Sequence, residues 1–174
     1  QGRAAENLLG KVYVKPGMVC PMNYHFTTTR AHFELNGGKV LEIFGKEALN
    51  TASTDPFKGN IDLDKLRGVI KEYGADKVAF VRMECTTNLI GGQPFSMENL
   101  KAVSKIAREN GIPMVIDTSL ISENAYFIKQ REKAYADWTI AAICKEMMAQ
   151  CDIMYMSGRK STCVRGGMIC TNSK

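Results

Sequence analysis

Short apolar segments alternate with amphipathic segments of helical period along this chain, and the alternation restricts the possible folds more than any other feature. Five strands are predicted, at residues 40–44, 77–83, 113–117, 152–156 and 167–171. Helices are predicted to begin near residue 4, to span 62–73 and 96–110, and to fill a broken region over 122–149. Each predicted strand is nearly apolar on both of its faces, and the strands alternate with helices. The pattern therefore predicts an α/β fold, with a mostly parallel sheet and helices on both faces.

Composition excludes several classes of protein. The 174 residues, 45% of them hydrophobic, suit one globular domain or a large piece of one. The 23 basic and 18 acidic residues are scattered without a basic block, so the net charge of +5 indicates a solvated surface and no nucleic-acid partner. No apolar run approaches the roughly 20 residues that a membrane span requires, and no signal peptide opens the chain.

Cysteine usage favours a cytoplasmic protein with reduced thiols. The six cysteines include no C-x-x-C pair, and two histidines are too few to complement them, so no metal site is predicted. The chain begins directly with the first turn of a predicted helix and stops three residues after a predicted strand. We therefore expect residues 1–174 to be an internal portion of a longer protein.

Polar residues stand where the predicted strands end. Ligands of open α/β sheets collect at the carboxyl ends of the strands, so these residues are candidates for a site. They are Asn88 after strand 77–83, Asp117 at the end of strand 113–117, and Ser157 and Lys160 after strand 152–156. Upstream, Gln1, Gly2 and Arg3 open a helix, and residues 26–30 form an irregular polar stretch.

Lys160 and Asp117 are more informative as a pair than singly. Alone, such a lysine is more often a surface residue and such an aspartate a helix cap or an ordinary strand-end carboxylate. A P-loop is excluded, because that motif needs glycine directly before the lysine, where this chain has Arg159. A lysine and a carboxylate at two strand ends of one sheet suit pyridoxal phosphate, which needs a Schiff-base lysine and a partner that keeps its pyridine nitrogen protonated.

The same cofactor needs a phosphate site and contacts to its ring. Gly2 and Arg3 at a helix N-terminus suit a dianion, because backbone N–H groups, the helix dipole and a guanidinium all favour negative charge. Phe26 could stack on the ring and Asn88 could hydrogen-bond its hydroxyl. A lone phenylalanine is more often a core residue, however, and a lone asparagine more often a turn residue.

Several segments resemble one enzyme family. They are QGRAAENLL, HFTTTRAHFELNGG, DPFKGNIDL, TTNLIGGQPFSMENLKAV, ENAYFIKQRE and MSGRK. In collinear order over essentially the whole chain, they resemble the tryptophanase and tyrosine phenol-lyase family of pyridoxal-phosphate-dependent β-eliminating lyases. The resemblance implies the large domain of the aspartate aminotransferase-like fold (fold type I), without the N-terminal arm and the C-terminal small domain. It also implies a homotetramer when the protein is full length.

The resemblance implies a role for each candidate residue. Lys160 would carry the cofactor and take the substrate α-proton, and Asp117 would pair with the pyridine nitrogen. Thr27 would lie near the leaving group, and Asn88 near the ring hydroxyl and the substrate carboxylate. The other cofactor-binding residues implied are Gln1, Gly2, Arg3 and Ser157 at the phosphate and Phe26 on the ring face.

Three departures from the family pattern alter what the resemblance implies. Leu120 stands where the family has an arginine three residues after the aspartate, and it cannot donate a hydrogen bond to the ring hydroxyl. The segment STCVRGG after Lys160 is one residue shorter than in the family and places Arg165 near an expected cation ligand, which argues against the family's potassium requirement. The segments that hold the substrate-carboxylate arginine and the aromatic proton donor are missing, so we expect this chain alone to be inactive.

The implied substrate is an aromatic amino acid. Residues 123–140 resemble tryptophanase more than tyrosine phenol-lyase, which favours cleavage of tryptophan to indole, pyruvate and ammonium. Tyrosine phenol-lyase is the second interpretation. Leu120 also leaves open a lyase for another β-substituted amino acid, or a truncated relative without catalysis.

Overall fold

The computed structural model describes residues 1–160 and 162–172 of the chain. These residues form a six-stranded sheet flanked by helices. The strands are β1 (Val19–Met22), β2 (Lys39–Glu42), β3 (Val81–Glu84), β4 (Met114–Asp117), β5 (Ile153–Ser157) and β6 (Gly167–Thr171). Their order is β2-β1-β3-β4-β5-β6, with β1 to β5 parallel and β6 antiparallel to β5. The predicted mostly parallel α/β fold is confirmed. Ser161, in the segment STCVRGG, lies outside the described residues.

Helices cover both faces of the sheet and create two cores. The α-helices are α1 (Gly2–Tyr13), α2 (Thr27–Leu35), α3 (Leu63–Tyr73), α4 (Met97–Glu109), α5 (Ile121–Arg131) and α6 (Ile140–Met148). Helices α1 and α2 share one core with the sheet, around Leu9 and Phe33. Helices α3 to α6 share the other, around Leu66 and Leu100. Within the described residues, no helix is both long and apolar enough to cross a lipid bilayer.

Several helix ends follow from capping residues. Ser96 Oγ accepts a hydrogen bond from the backbone N–H of Asn99 at 3.0 Å and so begins α4. Gly74, whose φ is 84°, ends α3 in a conformation that favours glycine. The predicted broken helical region consists of α5, a short 3-10 helix (Lys133–Tyr135) and α6. The predicted start of α4 and end of α3 are confirmed.

Two elements, β1 and α2, are absent from the sequence-based prediction. The prediction that residues 26–30 are irregular is wrong, because α2 begins at Thr27. Its three consecutive threonines have low helix propensity, and its buried residues are Thr29 and Phe33, so packing against α1 stabilises it more than propensity does. Strand β1 is four residues long and contains Pro21, which obscures its strand pattern.

Leu100 tests the core beneath α3 to α6. Leu100→Ala removes part of a fully buried side chain, so we expect the free energy of unfolding to fall by about 2–5 kcal/mol. The matched control is Leu35→Ala, at a residue that is 82% exposed, which we expect to change it by about 0.5 kcal/mol or less. Urea unfolding followed by circular dichroism measures both values, and equal losses would contradict this core assignment.

Candidate functional site

The two-residue period of the strands turns one set of polar side chains toward α1, at the carboxyl end of the sheet. In β3, Val81 and Met83 lie in the core beneath α3 to α6, so Arg82 and Glu84 face the opposite side. The neighbouring strands contribute Asp117 from β4 and Tyr155 and Ser157 from β5. Polar and charged groups therefore converge where the strands end and α1 begins.

A cleft lies at this point. Its walls include eight of the nine residues predicted from the sequence, namely Gln1, Gly2, Arg3, Phe26, Asn88, Asp117, Ser157 and Lys160. The ninth, Thr27, is exposed at the start of α2, and the described cleft wall contains its neighbour Thr28 instead. Leu120 also lies on the wall. The structure thus brings the predicted residues together, apart from Thr27.

The N-terminus of α1 forms one end of the cleft and packs closely against two strands. A Cβ atom on Gly2 would lie 2.8 Å from Ser157 Cβ, and one on Gly167 would lie 2.7 Å from the carbonyl carbon of Gln1. The first turn contains no acidic residue, and no side chain of the described residues caps it. Because the first N–H groups of a helix lack partners within it, they and Arg3 favour an anion here.

Lys160 faces the cleft from the turn between β5 and β6. Its Nζ atom lies over the Phe26 ring, 5.3 Å from the ring centroid. Backbone hydrogen bonds hold the turn, from the N–H of Gly158 to the carbonyl of Gly166 at 3.0 Å and from the N–H of Val164 to the carbonyl of Gly158 at 2.9 Å. A hydrogen-bonded turn therefore presents an amine beside an aromatic ring.

Asp117 is a buried carboxylate whose two oxygens both have partners. Its Oδ1 accepts a hydrogen bond from the backbone N–H of Ser119 at 3.0 Å, and its Oδ2 accepts one from Arg82 Nη2 at 2.9 Å. The side chain is 8% exposed, and that exposure is on the cleft wall. The carboxylate is held in one orientation and retains acceptor capacity for a donor in the cleft.

Arg82 is fully buried beneath the cleft and pairs with two carboxylates. Its Nη2 donates to Glu84 Oε2 at 3.0 Å and to Asp117 Oδ2 at 2.9 Å, and its Nε donates to the Tyr155 hydroxyl at 2.7 Å. Burial alone would lower the pKa of the guanidinium, but the acidic groups around it, led by Tyr155 and Glu84, raise that pKa well above its ordinary value. The guanidinium is therefore charged at every physiological pH.

Glu84 connects Arg82 to the segment that carries Asn88. Its Oε1 accepts a hydrogen bond from the backbone N–H of Asn88 at 3.0 Å, while its Oε2 accepts from Arg82. Burial raises the pKa of Glu84, and Arg82 opposes that rise. Asn23 holds the same segment, because its Nδ2 donates to the Glu84 carbonyl at 3.2 Å and to Thr87 Oγ1 at 3.0 Å. The backbone of Asn88 is thus fixed from beneath the cleft.

Glu6 of α1 anchors the start of α2 beside the cleft. Its two carboxylate oxygens accept hydrogen bonds from the hydroxyls of Thr28 and Thr29, each at 2.6 Å. The Tyr155 hydroxyl donates to Glu6 Oε1 at 3.5 Å and so joins this group to Arg82. A buried polar network therefore links α1 to β5 and β3.

Four residues of this network were missed by the sequence pattern: Arg82, Glu84, Tyr155 and Glu6. A signal for two of them was present. Positions 82 and 84 share one face of a predicted strand, and a charge inside a strand that is buried on both faces needs an ionic partner on a neighbouring element. Asp117, at the end of another predicted strand, could have been identified as that partner. Tyr155 and Glu6 carried no comparable signal.

Cys85 does not supply a thiolate to the cleft. This residue lies on the cleft wall, and burial raises the pKa of its thiol well above the usual range, so it is protonated at neutral pH. All six cysteines are free. Among residues 1–160 and 162–172, no three histidine, cysteine, aspartate or glutamate side chains are placed to hold a metal ion.

Comparison with known proteins identifies the family. A family model described as beta-eliminating lyase matches residues 1–174. The chain belongs to the beta-eliminating lyase family. It is 47% identical over 173 residues to the tyrosine phenol-lyase of Pasteurella multocida, a match that covers 99% of this chain and 38% of that protein. It is 46% identical over 175 residues to the tyrosine phenol-lyase of Fusobacterium nucleatum, covering 100% of this chain and again 38% of the relative. The chain therefore spans well under half the length of these two relatives.

Solved structures agree with a fold-type I architecture. A candidate aromatic amino acid beta-eliminating lyase/threonine aldolase from Exiguobacterium matches with a TM-score of 0.65 at 18% identity, covering 98% of this chain and 42% of that chain. The aminotransferase TlmJ from Streptoalloteichus hindustanus matches with a TM-score of 0.60 at 17% identity, covering 98% of this chain and 38% of that chain. At these identities the likeness concerns the fold alone.

Gly2 tests the anion site at the start of α1. In Gly2→Ala the new Cβ would lie 2.8 Å from Ser157 Cβ, so α1 or β5 must shift. Overpacking of this kind costs about 1–3 kcal/mol, and we expect binding of inorganic phosphate to weaken about tenfold. Titration calorimetry measures the affinity.

The matched control for this substitution is Gly68→Ala. An added Cβ at Gly68, in the exposed part of α3, meets nothing within 4 Å, so phosphate affinity should stay unchanged. Equal phosphate affinities for Gly2→Ala and the control would show that the approach of α1 to Ser157 is unimportant for anion binding.

Proposed function

We propose that the complete protein uses pyridoxal phosphate to eliminate the β-substituent of an aromatic amino acid, as a tyrosine phenol-lyase. One observation carries the proposal: the amine of Lys160, the buried carboxylate of Asp117 and the N-terminus of α1 all face a single cleft. Family membership and the identity to proteins named tyrosine phenol-lyase support it further.

The residues present fit the chemical groups of the cofactor. The first turn of α1, which lines the cleft with Gly2 and Arg3 and is not capped by the Gln1 side chain, suits the phosphate. Phe26 offers a flat apolar face for the ring, and Lys160 stands beside that face. Asp117 offers an acceptor for the protonated ring nitrogen. Asn88, on the same cleft, offers a side-chain amide for the ring hydroxyl.

Each residue then has a defined task. Pyridoxal phosphate, when joined to a lysine amine, supplies an electron-accepting ring that weakens the bonds at the substrate α-carbon. Lys160 would hold the cofactor through Nζ, and the same atom would accept the proton from the substrate α-carbon. Asp117 would accept a hydrogen bond from the ring nitrogen and so keep that nitrogen protonated. Asn88 would orient the ring and the substrate carboxylate.

Tyrosine is better supported as the substrate than tryptophan. Several relatives at 43–47% identity are named tyrosine phenol-lyase, whereas the sequence pattern favours tryptophanase because of residues 123–140. In the described structure no residue of that segment lies on the cleft wall, since α5 and α6 pack in the core on the other face of the sheet. The likeness of this segment to tryptophanase therefore carries no information about the cleft.

Four other expectations stay predictions. They are the homotetramer, the cytoplasmic location, the lost potassium requirement and the inactivity of residues 1–174 alone. Leu120 on the cleft wall leaves Asn88 as the hydrogen-bond donor assigned to the ring hydroxyl. Thr27 keeps its assignment near the leaving group only if the cofactor or substrate reaches the exposed start of α2.

The substrate is tested in the full-length protein that contains this chain. We expect release of phenol and pyruvate from tyrosine in the presence of pyridoxal phosphate, and much slower release of indole from tryptophan. Indole release alone would return the assignment to tryptophanase. Pyruvate from S-substituted cysteines alone would indicate another β-eliminating lyase, and no product despite bound cofactor would indicate a relative without catalysis. Each assay with and without potassium tests the cation requirement.

Lys160→Ala tests the cofactor lysine. Borohydride reduction of the wild type with pyridoxal phosphate should fix the cofactor onto Lys160, detectable by mass spectrometry of the peptide, because the amine faces the cleft. Lys160→Ala should lose this labelling and at least about a thousandfold in kcat, since one amine both carries the cofactor and accepts the proton.

The matched control for the labelling experiment is Lys105→Ala. The Lys105 side chain is 76% exposed on α4, far from the assigned chemistry, and should leave the labelling and kcat unchanged. Labelling of another lysine in the wild type would overturn the assignment of Lys160.

A further inference from the structure

We propose that Arg82 is a positioning residue for the cofactor site, and that its single guanidinium orients both Asp117 and, through Glu84, the segment that carries Asn88. The inference rests on the proposed function, in which Asp117 and Asn88 serve the ring of pyridoxal phosphate. Arg82 has no exposed surface and is not part of the described cleft wall. It therefore acts through the residues that it holds, without touching cofactor or substrate.

The hydrogen bonds of Arg82 fix the plane of its guanidinium. The Nε atom donates to the Tyr155 hydroxyl on β5 at 2.7 Å, and Nη1 donates to the Tyr24 carbonyl at 3.3 Å. These two contacts lie on different elements, so the planar group cannot turn without breaking one of them. Nη2, whose position is thereby fixed, donates to Asp117 and Glu84.

The shared Nη2 atom couples two residues that face the cleft. Asp117 meets it at 2.9 Å and Glu84 at 3.0 Å, and Glu84 passes the constraint on by accepting from the Asn88 N–H at 3.0 Å. A displacement of Arg82 would therefore move the assigned partner of the ring nitrogen and that of the ring hydroxyl together. The phosphate residues are outside this branch, since none of the described hydrogen bonds of Arg82 joins it directly to one of them.

The charge of Arg82 matters as well as its shape. Asp117 and Glu84 approach the same guanidinium nitrogen, and both side chains are nearly inaccessible to water. Without a cation between them, two buried carboxylates would repel each other and lose the compensation for their desolvation. Arg82 therefore keeps two acidic side chains in one small buried volume. Because the two carboxylates share the guanidinium of Arg82, each of them retains acceptor capacity for another group.

A double-mutant cycle tests the coupling between Arg82 and Asp117 in the full-length protein. The four proteins are wild type, Arg82→Met, Asp117→Asn and the double variant, and the main readout is the dissociation constant of pyridoxal phosphate from absorbance titration. We expect Arg82→Met to weaken binding about tenfold in the wild-type background, within the range known for outer partners of a bound group. In the Asp117→Asn background, Arg82→Met should weaken cofactor binding by about threefold or less. This smaller effect is the part that acts through Glu84.

Inorganic phosphate, measured as a competitor of cofactor binding, separates positioning from general damage. Arg82→Met should leave the inhibition constant of phosphate unchanged, because the effect is confined to the ring end of the cleft. Arg67→Met is the matched control: it removes an arginine that is 58% exposed and paired with Asp64 on the surface of α3, and it should change neither constant.

Three results would overturn the inference: additive effects in the cycle, equal weakening of phosphate and cofactor, or wild-type cofactor binding in Arg82→Met. If Arg82→Met fails to fold, because two buried carboxylates lose their cation, Arg82→Lys carries the test in its place. Its point charge cannot reproduce the planar fork, so we expect at least about threefold weaker cofactor binding, again reduced in the Asp117→Asn background. Wild-type affinity in Arg82→Lys would also overturn the inference. A wild type that binds no pyridoxal phosphate would instead overturn the proposed function itself.

Discussion

The guanidinium of Arg82 imposes the strongest constraint on the carboxyl end of the sheet. A buried cation that cannot lose its proton must be surrounded by acceptors, and here they come from three strands and the segment after β1. The backbone pairing that aligns β3, β4 and β5 at their carboxyl ends also places these acceptors around the guanidinium. The cleft lies directly above this arrangement, and its geometry depends on it.

The two faces of the sheet have different tasks. The core beneath α3 to α6 is the larger of the two and contains apolar side chains from most of the strands and from those four helices. The face beneath α1 and α2 has a smaller apolar core and ends in the polar network of Glu6, Tyr155 and Arg82. Under the proposed function, Lys160, Asp117 and the start of α1 act outside the first core, so segments within that core inform on stability more than on substrate choice.

The sequence allowed the sheet, most helices and the place of the cleft to be predicted, because strand period and the carboxyl-end rule are local or topological. It did not reveal β1 and α2, which contain Pro21 and consecutive threonines and exist through packing. Nor did it reveal Arg82 as a site residue, because its significance depends on Asp117, 35 residues away in the chain. Thr27 shows the opposite limit: a resemblance assigned it to the site, while the backbone of α2 leaves its side chain exposed.

Leu120 and Arg82 together bear on how the ring of the cofactor would be held. The family pattern has an arginine where Leu120 lies on the cleft wall, and Arg82 does not replace it, since its guanidinium is buried on the inner side of Asp117. Arg82 can then influence the ring nitrogen only through Asp117, and Leu120 offers the ring hydroxyl no hydrogen-bond donor. Under the proposed function, Asn88 becomes the main partner of that hydroxyl. Its backbone attachment to Glu84 gains importance for the same reason.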